Sequence, residues 1–255
     1  MIAIRSAITI AIVVSLAVSG TAMASTHSYN YSFDWSAYPW SIPGQNLQAA
    51  ADNAKQQQDL ADYVGLSYYS AEPNAITHNL GSSSLRHLFL VGHARPGMVL
   101  VSRWSPYPGT NDYAGVVSSN IPMTGGVPFK LHDNSASQIV RQTSYVSDVN
   151  SSAKIAMFLG CETGADPPPG SYNLLWSAHG HAGVAFAGGF RESVVFSHGI
   201  HTPPTYFGYR YWRALRSGYN AWYSMEVARA YIHQVYGANG GYDSMHYRGD
   251  GNTRM

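Results

Sequence analysis

Leu88 to Pro96 reads LFLVGHARP, and Ile155 to Thr163 reads IAMFLGCET. Each is an apolar run that ends in glycine and then in a side chain able to do chemistry, His93 after the first and Cys161 after the second. Leu88 to Val91 is short and wholly apolar, the pattern of a strand buried on both faces of a parallel sheet. Lys154 to Leu159 is a second candidate of the same kind. Groups just beyond the carboxyl ends of neighbouring parallel strands converge on one crevice, so His93 and Cys161 are expected to meet despite their separation in sequence.

Working outward, Ser25 to Gly44 interleaves Tyr29, Tyr31, Phe33, Trp35, Tyr38 and Trp40 with small or polar residues. Its alternation up to Trp35 fits an edge strand, and an arm packed over the domain fits equally well. Gln45 to Val64 places Leu47, Ala50, Ala51, Ala54, Ala61 and Val64 at helical spacing. Leu66 to Tyr69 reads as a short strand and Pro73 to Leu80 as a short helix entered through proline. Met98 to Trp104 reads as a strand, Ser105 to Gly126 as a loop, Ser135 to Thr143 as a helix and Tyr172 to Ala178 as another. Gly183 to Ala187 is a third buried-strand candidate. Near the end Ala221, Met225, Ala228, Ile232 and Val235 share one helical face. Alternating helices and apolar strands argue for an α/β sandwich, and no linker divides it.

Arg5, the apolar stretch from Ser6 to Val18 and the small residues Ala22 and Ala24 make residues 1–24 a signal peptide. The apolar stretch is shorter than the roughly 20 residues of a spanning helix. A secreted or periplasmic protein, with no stable membrane insertion after cleavage, is therefore expected. The formal net charge of the whole chain is +1. Its one cationic run, Arg210, Arg213 and Arg216, reads as a solvated helix face, so no nucleic-acid partner is expected. The single cysteine cannot form an intramolecular disulfide. It is either a small buried hydrophobe or a functional thiol.

A thiol with a reference pKa of about 8.5 needs help to become the reactive thiolate. A nearby imidazole supplies it, and backbone N–H groups of a glycine turn can hold the oxyanion formed when a carbonyl is attacked. The competing reading makes Cys161 a packing residue and His93 a hydrogen-bonded loop histidine.

Gly92-His93-Ala94 after one apolar strand, followed by Gly160-Cys161-Glu162-Thr163-Gly164 after another, resembles the clan of cysteine peptidases that contains caspases, legumains, gingipains and clostripain-like enzymes. Gly183 to Phe190 (GVAFAGGF) is similar to the strand that follows the cysteine in gingipain-like members. The resemblance implies a caspase-like three-layer αβα sandwich with a mostly parallel central sheet. It also implies a His93–Cys161 dyad and an oxyanion hole from the backbone of Cys161 with Gly92 or Ala94. On this reading residues 25–44 are an aromatic arm and residues 45–255 the peptidase domain, acting on a peptide or protein substrate without a cofactor. Ala94 and Gly160 depart from the commonest glycine and alanine of the motifs, and neither change removes a reactive group.

Glu162 and Asp166 would suit a basic residue before the scissile bond, Arg95 an acidic one, and surface solvation accounts equally for all three. His179, His181, His198 and His201 lack the spacing of a helical zinc motif, and Asp112 and Asp133 are too far apart in sequence for an obvious calcium loop, so no metal is expected. The alternative from another class is a noncatalytic protein of this fold that binds polysaccharide or protein through its many Tyr and Trp side chains.

Overall fold

The computed structural model describes residues 27–32, 66–69, 80, 81, 83, 85–92, 94–103, 112–118, 127–129, 138–166, 172–195 and 203–254. Strands β1 (His27–Ser32), β2 (Leu66–Tyr69) and β3 (Leu85–Val91) come first, then β4 (Ala94–Arg95), β5 (Met98–Arg103), β6 (Asp112–Val117), β7 (Val127–Phe129) and β8 (Gln138–Tyr145). β9 (Ile155–Leu159) leads to the short helix α1 (Leu174–Trp176), which runs into a π turn at Ser177–His181. β10 (Phe186–Phe190), α2 (Pro203–Arg216), α3 (Ala221–Tyr236) and β11 (Met245–Gly249) complete the chain.

The central sheet has the order β11-β10-β9-β3-β1-β2. All its pairings are parallel except that of β10 with β11. A second sheet, β4-β5-β6-β8-β7, branches off after β3 and is mostly antiparallel.

Side-chain alternation along β9 explains the layering. Ile155, Met157 and Leu159 pack with Phe207, Tyr211, Trp212 and Leu215 of α2 and with Met225, Ala228 and Ile232 of α3. Ala156 and Phe158, on the opposite face, pack with Leu174, Leu175 and Ala178 of the α1 region. A strand covered on both faces must be apolar at every position, and all five residues of β9 are buried. The result is a three-layer αβα sandwich with a largely parallel central sheet. β3 and β9 are its two middle strands, paired in parallel as their sequences predict.

Several expectations need correction. Ser135 to Thr143, read as a helix, is largely strand β8: Ile139, Val140 and Thr143 are β-branched, and the segment pairs with β6 in parallel and with β7 antiparallel. The aromatic segment is not an edge strand, because β1 lies between β3 and β2 and pairs with both. The third buried strand starts at Phe186 rather than Gly183. Ala182 and Val184 instead donate their N–H groups to Ser177 and Ala178 in closing the π turn, and sheet pairing begins with Phe186 N to Lys154 O at 2.9 Å. Val235, expected on the apolar face of α3, is 50% exposed. The helices expected at Gln45 to Val64 and, apart from Leu80, at Pro73 to Leu80 lie outside the described residues, as does the proposed boundary at residue 44.

Candidate functional site

The register of β3 with β9 aligns Val91 with Leu159, and the pairing continues one step further through Gly92 N to Leu159 O at 3.1 Å. The two strand-end turns therefore leave the sheet side by side. They touch at Gly160. A Cβ there would stand 2.6 Å from the Gly92 carbonyl oxygen and 2.7 Å from the Ala94 Cβ, closer than atoms tolerate. Glycine before the cysteine is thus demanded by the neighbouring turn. His93, between Gly92 and Ala94, lies outside the described residues.

After Gly160 the chain is fastened to the end of β10. Thr163 is fully buried, and its Oγ1 lies within bonding distance of the Phe158 carbonyl at 2.9 Å and the Gly160 carbonyl at 3.2 Å while accepting from Phe190 N at 3.1 Å. Gly164 N donates to Phe190 O at 2.7 Å and Glu162 N to Glu192 O at 3.0 Å. Glu162 has φ of 57°, the one left-handed non-glycine among the described residues. Such a backbone is uncommon for a glutamate and persists because the turn on either side is tied down.

Cys161 is a free, half-buried thiol at the head of this turn. Its Sγ donates to the Val194 carbonyl at 3.6 Å. Burial is the largest influence on its pKa and pushes it up, with the Glu162 carboxylate adding to the rise. Hydrogen bonding with the Val194 backbone and the Ser193 side chain pulls the other way without cancelling the rise.

Of the three backbone donors expected to line an oxyanion hole, Gly92 donates its N–H to Leu159 O in the sheet. The expected pocket residues occupy different settings. Arg95 is half-buried on β4, its guanidinium pKa lowered by burial. Glu162 is half-buried beside Cys161 in sequence. Asp166 is exposed and accepts from Asn173 Nδ2 at 3.3 Å.

Two of the four histidines weighed as metal ligands have other roles. His179 Nδ1 donates to Val184 O at 2.9 Å, and His181 stands edge-on to Tyr172 and Trp176 at ring separations of 5.1 Å and 4.5 Å. His198, His201 and Asp133 lie outside the described residues. Among the described residues no group of three or more His, Cys, Asp or Glu side chains is placed to hold a metal ion, and no helix is long and apolar enough to cross a membrane.

Sequence reasoning missed as parts of the site Thr163, Val194 and Tyr242, the last of which donates its hydroxyl to the Val195 carbonyl at 3.1 Å. Thr163 carried a signal, a hydroxyl two residues after the cysteine in a glycine-bounded turn. Val194 and Tyr242 carried none, since their bonds span 33 and 47 residues.

No family model and no curated protein matches this chain.

Proposed function

We propose that the chain is an exported cysteine endopeptidase of the caspase-like kind, with Cys161 as nucleophile and His93 as its imidazole partner. The observation that carries this reading is the contact of the two strand-end turns, in which Gly92 and Ala94 lie against Gly160. It puts the backbone on both sides of residue 93 beside the residue that precedes the thiol.

In the reaction His93 takes the thiol proton, and the Cys161 thiolate attacks the peptide carbonyl. The oxyanion is held by the N–H groups of Cys161 and Ala94, Gly92 being engaged elsewhere. Imidazolium then protonates the departing amine, and water, deprotonated by the same imidazole, releases the acyl group from sulfur. Glu162 and Asp166 favour a basic residue before the scissile bond, and Arg95 would favour an acidic one. No cofactor enters these steps.

Peptides bearing Arg, Lys, Asp or Asn before the cleavage site test the reading in wild type, Cys161→Ala and His93→Ala proteins. Any cleavage shown by wild type is expected to be lost in both variants, and undiminished cleavage by Cys161→Ala would exclude the nucleophile. Export predicts that the mature chain starts at or near Ser25, which N-terminal sequencing of the exported protein decides.

A second reading is a noncatalytic binder of polysaccharide or protein. It is favoured by the raised pKa of a thiol tied to a carbonyl, and by the exposed pair Tyr219 and Tyr223, whose rings lie 4.8 Å apart. The two readings part on thiol chemistry: a nucleophile alkylates in a pH-dependent way that His93→Ala suppresses, whereas a packing thiol is insensitive to that substitution.

A further inference from the structure

The segment that follows β10 turns back over Cys161. Val194 accepts from the thiol, and its own side chain is buried in the core between the central sheet and the α2–α3 layer. Among the described residues the segment is bonded to the turn at residues 238–244, between α3 and β11, and to Glu162 N, which donates to Glu192 O at 3.0 Å. Tyr242 Oη donates to Val195 O at 3.1 Å, and Val195 N donates to Gly240 O at 3.0 Å. Arg191 N donates to Ser244 O at 3.0 Å and Glu192 N to Ser244 Oγ at 3.1 Å. Gly241 has φ of 76° and comes so close to Ser193 that a Cβ would overlap the Ser193 carbonyl oxygen. The Tyr242 ring is itself wedged edge-on to Phe190 at 5.5 Å and against Phe207 at 5.5 Å.

We propose that Ser193–Val195 is a strap that masks the Cys161 thiol at rest, and that the Tyr242 hydroxyl is the latch that holds the strap closed. The proposal rests on Cys161 being the nucleophile. A strap in this position withholds the sulfur from substrate, with the Val194 carbonyl held against the thiol. Activation therefore requires movement of residues 193–195 and no change in the sheet. The latch suits such a role because it depends on a hydroxyl whose removal leaves the packed ring in place.

The test is the second-order rate of Cys161 alkylation by iodoacetamide at pH 7.5 in the full mature protein. It compares wild type, Tyr242→Phe, Ser244→Ala and a control, Ile232→Ala, that weakens the core shared with Val194 and removes no hydrogen bond of the strap. Losing one latch hydrogen bond is expected to raise the alkylation rate about tenfold in Tyr242→Phe. Ser244→Ala, which removes the acceptor of Glu192 N, is expected to raise it as well, and Ile232→Ala to leave it unchanged at temperatures where all four proteins remain folded. Equal rates in wild type and both latch variants overturn the strap, and so does an equal acceleration in Ile232→Ala, which would mark general loosening. Peptide cleavage is read in parallel. Faster alkylation in the latch variants without peptidase activity in any of them leaves the strap standing and removes the peptidase reading.

Discussion

Gly160 faces Gly92 across the ends of the two middle strands with no room for a methyl group, since a Cβ would lie 2.6 Å from the Gly92 carbonyl oxygen. Both obstacles, that oxygen and the Ala94 Cβ, belong to a turn fixed by sheet pairing on either side. Gly160→Ala must therefore push the two turns apart. Overpacking of this kind costs about 1–3 kcal/mol. Chemical denaturation is expected to register a loss in that range, and alkylation of Cys161 to change with it; an unchanged unfolding midpoint would refute the crowding.

Thr163 gives a cleaner separation of chemistry from shape. Its hydroxyl serves Phe190 N and the carbonyls of Phe158 and Gly160 in a fully buried place. Thr163→Val keeps the volume and leaves the Phe190 N–H unpaired, at a cost of about 1–3 kcal/mol. Thr163→Ser keeps the hydroxyl and is expected to retain most of the stability. A valine variant as stable as the serine variant would show that this hydrogen-bond cluster contributes nothing.

His87 sets a pH dependence. Buried on β3 edge-on to Trp212, it has its pKa lowered to about 4 by burial, with Lys154 and Arg86 adding to the shift. The unfolded chain takes up this proton as pH falls through about 6.5, while the folded protein resists until about 4. Stability is thus fully present above 6.5, falls with pH through that window and levels off below it. The separation corresponds to roughly 3 kcal/mol. Urea unfolding of wild type and His87→Leu at pH 7.5 and 4.5 isolates the contribution, and the pH-induced loss should be smaller in the variant by about 2–3 kcal/mol. Equal losses in the two proteins would assign the effect elsewhere.

Tyr211 is fully buried on α2, and its hydroxyl has no hydrogen-bond partner among the described residues. Burial accordingly drives its pKa far above the ordinary phenol range. A polar group left unpaired in the core carries a desolvation cost of about 1–3 kcal/mol. Tyr211→Phe keeps the ring against Phe89 and Phe207 and removes that cost. The melting temperature is expected to rise by about 2–4 °C for each kcal/mol recovered. A fall would mean that the hydroxyl is satisfied.

What was legible in the sequence follows from these same forces. Leu88 to Val91 and Ile155 to Leu159 could be read because burial on both faces forces an unbroken apolar run, and the turns after them because each ends in glycine and a reactive side chain. Ser135 to Thr143 reads as a helix because Ile139, Val140 and Thr143 also fit a helical stripe, and only pairing with β6 and β7 decides for a strand. Val194 and Tyr242 were invisible for a different reason. Their parts in the site are a backbone carbonyl and a hydroxyl bond to another backbone carbonyl, and a carbonyl carries no residue signature.

The N-terminal aromatic segment separates a structural role from an inhibitory one. β1 aligns Tyr29 with Leu88 of β3 on one side and with Leu66 of β2 on the other. Removing residues 25–44 therefore strips a strand from the interior of the sheet, leaving β3 with an unpaired edge and β2 without its neighbour. Exposed apolar edges invite pairing with other chains. A chain beginning at residue 45 is expected to be recovered mainly as aggregate and to lack a cooperative thermal transition by circular dichroism. An arm that merely covered the crevice predicts the reverse, a soluble truncated protein whose Cys161 alkylates faster than in the intact chain. Solubility and alkylation of the one variant decide between them, and a folded, more reactive truncation would overturn the assignment of His27–Ser32 to the sheet.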